Sequence, residues 1–163
     1  MKIFLTGKKQ IGKSTCIKKF VNTHNILCCG YTTIPYYEGT KKIGYALHSL
    51  VDINVQDRPF SIRKTPIPNV FDDMGVKILN ASKNGLLILD EIGFLERNES
   101  YYIHTLLAKI KSYPNILGVL RKESIDYIEK IKKMEDVLLL DLDCISQEKA
   151  MSILDTIYLK ESV

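Results

Sequence analysis

Apolar residues fall in short runs separated by longer stretches in which they recur at helical spacing, and this alternation predicts a parallel sheet covered by helices, the α/β class. The runs predict strands at Lys2 to Thr6, Ile26 to Thr32, Gly85 to Asp90, Ile116 to Leu120 and Val137 to Leu142. The third and fifth are almost continuously apolar, as strands buried on both faces should be. Helices fit between them. The first begins near Lys13 and sets Ile17, Phe20 and Val21 on one face; the others cover Asn69 to Lys83, Ser100 to Ser112, Ser124 to Lys133 and Gln147 to Leu159. From Tyr36 to Pro68 the rhythm breaks. A turn at Glu38-Gly39-Thr40, alternation at Ile43, Tyr45 and Leu47, and prolines at 59, 66 and 68 predict a small hairpin insertion after the second strand and then a loop. Such an insertion either covers a site or decorates a sheet edge.

The chain has 163 residues, enough for one domain spanning 1–163 with a full core and too few for two. Apolar residues at 45% and charged residues at 26% are globular values, so order is expected nearly end to end. The net charge of +4 is spread along the sequence, which suits a phosphate-bearing ligand without demanding nucleic acid. Basic and aromatic residues do not interleave as they do in stacking platforms, so nucleic acid is not expected as a substrate. No stretch approaches the roughly 18 apolar residues of a membrane span, and MKIFLTG reads as a strand rather than a signal peptide. A cytoplasmic protein, monomeric by default, is expected. Cys16, Cys28, Cys29 and Cys144 lack metal or redox spacing and read as buried free thiols.

Candidate chemistry begins at residues 7–14, GKKQIGKS, which match the P-loop pattern with a strand before and a helix after. Gly7 lets the chain leave the strand in a conformation closed to residues with a side chain, and Gly12 lets the backbone approach a phosphate. The N–H groups through Lys8, Lys9, Gln10 and Ile11 form a nest for phosphate oxygens at the positive end of the helix. Lys13 is expected to reach the β and γ phosphates, Ser14 to offer its hydroxyl to Mg²⁺, and Thr15 to donate to the α phosphate. Gln10 stands where many P-loops have another glycine. Lys8 and Lys9 either add affinity for polyphosphate or are solvated.

The second half of such a site is the strand Leu86 to Leu89 ending in Asp90-Glu91. Asp90 is the expected anionic partner of Mg²⁺, through a water, and Glu91 the group that orients or deprotonates the attacking water. Both motifs fall at the C-terminal ends of strands, where open α/β sheets bind ligands. Arg121, ending its own strand, points to the same edge; it either stabilises charge on the γ phosphate or caps the next helix.

With these motifs placed, the chain resembles, over nearly its whole length, the small P-loop nucleoside-triphosphatases described from thermophiles and also called cancer-related nucleoside triphosphatases. The resemblance rests on the P-loop, on Gly30-Tyr31-Thr32-Thr33 with Gly44-Tyr45, on Asp90-Glu91-Ile92-Gly93-Phe94-Leu95-Glu96, and on Leu120-Arg121-Lys122. It implies a RecA-like, mostly parallel sheet with an extra strand between the P-loop strand and the acidic strand. It also implies Mg²⁺ dependence and slow hydrolysis of several nucleoside triphosphates. Departures are Lys8-Lys9-Gln10, where the family has Glu-Pro-Gly-type residues, and Glu148-Lys149-Ala150, near its late Asn-Arg-Asp signature.

Hydrolysis of nucleoside triphosphates is the leading expectation. A nucleotide or nucleoside kinase is the alternative, its only candidate lid lying around Arg58 to Lys64, and a slow nucleotide-dependent switch is a third. Tyr31, Tyr36, Tyr37 and Tyr45 either stack on a base or pack against neighbouring strands.

Overall fold

The computed structural model describes residues 1–93 and 95–161. An eight-stranded sheet organises the molecule, built from β1 (Lys2–Thr6), β2 (Cys28–Glu38), β3 (Lys41–Ser49), β4 (Arg58–Ile62), β5 (Thr65–Pro66), β6 (Leu86–Ile92), β7 (Ile116–Leu120) and β8 (Leu138–Asp141). In space the strands run β5-β4-β3-β2-β6-β7-β1-β8. The run from β6 to β8 is parallel, β2 joins it in parallel, and β3, β4 and β5 follow as antiparallel additions. Strand β7 therefore separates the P-loop strand from the acidic strand, as in a RecA-like P-loop fold.

Helices α1 (Lys13–His24) and α5 (Gln147–Glu161) cover one face; α2 (Val76–Ala81), α3 (Ser100–Ser112) and α4 (Asp126–Lys132) cover the other. Each face seals its own apolar layer. Ile3, Leu5, Ile17, Phe20, Ile88 and Val119 meet on the α1/α5 side, and Phe4, Leu87, Leu89, Leu106, Ile110 and Ile128 on the other. Every residue of β7 is buried, which explains its unbroken apolar run.

Several expectations are corrected. The face of α1 is buried through Cys16, Ile17 and Phe20, while Val21 is half-exposed. The predicted helix over 69 to 83 is a π-helical turn, Phe71–Gly75, continuing into the short α2. Strand β2 runs on to Glu38, six residues past its predicted end, because its upper half finds a new partner in β3 across Gly39-Thr40. The hairpin is thus an outgrowth of β2 itself. The expected loop contains β4 and β5, with Pro59 and Pro66 inside them. Proline lacks the ladder N–H and survives at a sheet margin, which is where both lie. Cys16 and Cys29 are buried and Cys28 is half-buried, but Cys144 is exposed in the turn after β8.

Candidate active site

The phosphate loop follows from its sequence. Gly7 and Gly12 adopt φ of 135° and 96°, and Gln10, where a glycine is common, also takes a positive φ of 64°. Gly12 caps α1 with no side-chain hydrogen bond, and the first turn holds no acidic residue. The orphan N–H groups of the helix start are therefore left for an anion. Two contacts from the far end of the chain brace the loop. Lys8 N–H donates to Asp143 Oδ1 at 3.1 Å, and Gln147 Nε2 donates to the Ile11 carbonyl at 2.8 Å. Gln147 lies over Gly12 so closely that a Cβ there would collide with it. Neither Asp143 nor Gln147 was legible in the sequence, because nothing local ties residues 143 and 147 to residue 8 or 11.

Lys13 bends back over the loop, its ammonium donating to the carbonyls of Gly7 at 2.9 Å and Lys8 at 2.7 Å. Burial lowers its pKa from the usual lysine value, opposed most strongly by the Glu91 carboxylate and then by Asp143. Ser14 Oγ donates to Asp90 Oδ1 at 2.7 Å. Asp90 is only 2% exposed, and burial pushes its carboxyl above the ordinary value while the Ser14 bond pulls it down. A hydroxyl and a carboxylate oxygen side by side fit a hard divalent cation. No group of three or more His, Cys, Asp or Glu side chains able to hold a metal occurs among the described residues.

Opposite the loop, β6 ends irregularly. Its register with β7 slips between Leu89 and Ile92, and Glu91 within the slip has a φ of 72°. A bulge at a strand end re-aims a side chain, and here it turns Glu91 toward Arg121, whose Nε donates to Glu91 Oε1 at 2.7 Å. Both side chains remain about 30% exposed, facing the cleft. Gly93 is explained by the same contact, since a Cβ there would strike the Arg121 side chain. Glu96, 2% exposed, accepts the Gly93 N–H at 2.6 Å, and Tyr127 donates to the Gly93 carbonyl. Phe94, within the predicted motif, lies outside the described residues.

The two halves bound a cleft of about 250 Å³. It brings together Lys9, Gln10, Gly12, Lys13, Ser14, Thr15, Glu91 and Arg121 of the predicted set. Gly7, Lys8 and Ile11 shape the loop behind it, and Asp90 sits beneath through Ser14. Thr33 and Tyr45 also line it, the former missed by sequence reasoning and the latter weighed only as a stacking ring. Tyr31 is fully buried and Tyr36 half-buried; Tyr37 is exposed but away from the cleft.

A strand-loop-helix phosphate cradle facing an acidic strand end, across an intervening β7, defines a P-loop NTPase. The model of the NTPase family matches residues 2–155, and the chain belongs to that family of hydrolases. It is 26% identical over 157 residues to a nucleoside-triphosphatase THEP1 of Thermotoga maritima, covering 88% of this chain and 87% of the relative. A Pyrobaculum islandicum protein of the same name is 25% identical over 142 residues, covering 80% of each. Two solved structures share the fold. A human cancer-related nucleoside triphosphatase superposes with a TM-score of 0.75 at 18% identity over 96% of both chains. THEP1 from Aquifex aeolicus gives 0.68 at 19% identity, over 94% of this chain and 99% of the other. Among the described residues no helix is long and apolar enough to cross a membrane.

Proposed function

We propose that the chain hydrolyses the β–γ bond of several nucleoside triphosphates as their Mg²⁺ complexes, consuming one water and releasing nucleoside diphosphate and phosphate. The observation that carries this reading is the meeting, in one cleft, of an uncapped P-loop helix, the Ser14–Asp90 oxygen pair and the Glu91–Arg121 ion pair. The N–H groups between Gly7 and Thr15 hold the phosphate oxygens, and Lys13 exchanges its two carbonyl partners for the β and γ phosphates. Ser14 and Asp90 would hold Mg²⁺, which would supply positive charge against the developing negative charge on the phosphates. Glu91 orients the attacking water and accepts its proton, while Arg121 keeps Glu91 in place and presents its guanidinium to the γ phosphate. The names of the Thermotoga and Pyrobaculum relatives support hydrolysis as the reaction.

The test is phosphate release from ATP, GTP, CTP and UTP, with Mg²⁺ or with EDTA, by wild type and Glu91→Gln. Release from several triphosphates is expected, lost in EDTA and lowered about 10²–10⁴-fold in the variant, which should still bind triphosphate. Full turnover in Glu91→Gln, or no release by a wild-type protein that binds triphosphate, would overturn the reading.

A further inference from the structure

Beyond Arg121 the triphosphate cleft opens into a second groove of about 550 Å³, on the antiparallel side of the sheet. Among the described residues six cationic ones line it, Lys9, Lys41, Lys42, Arg63, Lys64 and Arg121, and no acidic one does. Its floor is the β3 segment Ile43-Gly44-Tyr45 beside Ser61 of β4. Lys9, Tyr45 and Arg121 line both spaces, so the groove continues the cleft rather than standing apart from it.

Arg121 is paired with Glu91 at 2.7 Å and with Glu123 at 3.6 Å, but the other cations there are poorly compensated. Lys9, Lys41 and Lys64 have no ion-pair partner among the described residues. Arg63 meets Glu38 at 3.0 Å, but both side chains are more than 60% exposed, and such pairs contribute little. Lys42 leans on Tyr45, 4.1 Å from the ring centre and 3.0 Å from its hydroxyl, with no carboxylate in the contact. Gathering like charges on one wall costs stability through self-repulsion, which an anion relieves. Arg63 and Lys64 form the two-residue tip between β4 and β5, with the positive φ of 48° and 67° that such a turn requires.

We infer that this groove binds a small phosphomonoester, with its phosphate near Lys9 and Arg121 and against the γ end of the triphosphate. The ligand class follows from charge, size and surface. A phosphomonoester carries close to two negative charges at neutral pH on three acceptor oxygens, matching clustered Lys and Arg donors. The groove's volume lies within the range of small-ligand sites, about 300–1,000 Å³. A nucleic-acid strand fits less well, because single-strand tracks need successive aromatic platforms and, among the described residues, the groove has one ring, already partnered by Lys42. Only the orientation of the triphosphate rests on the function proposed above.

The experiment is calorimetric titration of AMP and of glycerol phosphate into the full chain saturated with Mg²⁺ and a non-hydrolysable ATP analogue. Adenosine and glycerol serve as uncharged counterparts, and Lys41→Glu/Lys64→Glu as the variant. Saturable one-site binding of a monoester but not of its uncharged counterpart is expected, weakened about tenfold or more in the variant. The variant should bind the triphosphate analogue as wild type does, which also reports that it is folded. If AMP and glycerol phosphate bind alike, the phosphate alone is recognised; if only AMP binds, the ligand is a nucleotide. No saturable binding by a protein that holds the analogue, or equal binding by wild type and variant, overturns the inference. So does an RNA oligonucleotide that binds more tightly than AMP and loses affinity steeply with salt. Should the analogue itself fail to bind, the triphosphate reading fails separately, and the Lys41 and Lys64 dependence of monoester binding still decides the groove.

Discussion

Residues 7–15 build their half of the cleft from one unbroken stretch of chain, using backbone N–H groups and two glycines with positive φ. The facing half brings Glu91 and Arg121 together from β6 and β7, 30 positions apart, through a bulge, a glycine without room for a Cβ and a buried carboxylate. The loop's geometry is set first by local conformational preference, with Asp143 and Gln147 bracing it from the far end of the chain. The other half has its acids in a local motif, but no local motif sets the pairing of Glu91 with Arg121. Its geometry is a product of packing, so it should yield to changes that leave the loop intact, and the loop should yield to changes in its own residues or in the two that brace it.

The largest effect that separates the halves is expected from Lys13→Ala. Loss of this charge should lower phosphate release about 10²–10³-fold, with the fold and the Glu91–Arg121 pair kept. Single-turnover rates with a parallel thermal melt would check it, and a variant releasing phosphate normally would place the phosphate charge contact elsewhere.

A second test concerns the buried carboxylate that only the assembled half possesses. Burial pushes the Glu96 pKa up from 4.5 to about 7, partly offset by the Gly93 N–H. Between these values the folded protein keeps a proton that the unfolded chain has lost, so stability falls as pH rises through that window, by about 3 kcal/mol at most. Glu96→Gln has no such proton to lose. Urea unfolding of both proteins across the window should show the variant gaining on wild type as pH rises; parallel curves would mean that Glu96 is ionised throughout.

The smallest effect is expected from Gly93→Ala. The added Cβ meets the Arg121 side chain, and such overpacking costs about 1–3 kcal/mol of stability. Displacing Arg121 from Glu91 should lower turnover while triphosphate affinity, which belongs to the loop, stays at the wild-type value. Equal losses of affinity and turnover would show that the halves are not independent.

The same contrast decides how much could be read from the chain beforehand. Strands β1 and β7 fall on their predicted bounds because a fully buried parallel strand is a local apolar run. The loop and both acids were legible for a similar reason, each being a short motif at a strand end. Pairing that depends on a distant partner was not. β2 extends because β3 receives it, Pro59 and Pro66 enter strands because they lie at the sheet margin, and Asp143 and Gln147 reach the loop only once β8 has packed beside β1. Arg121 lay between a catalytic and a capping reading, and its bond to Glu91 is a tertiary fact.

Strand β2 serves two neighbours in succession, β6 along its first residues and β3 along its last. Its outer end therefore grows without moving its inner end. Adding residues in pairs at Gly39, whose surroundings are open, would lengthen both arms of the hairpin and keep every side chain on its own face. Over evolutionary time, that freedom lets descendants of one hydrolytic scaffold reshape the rim beyond the triphosphate while inheriting the scaffold unaltered.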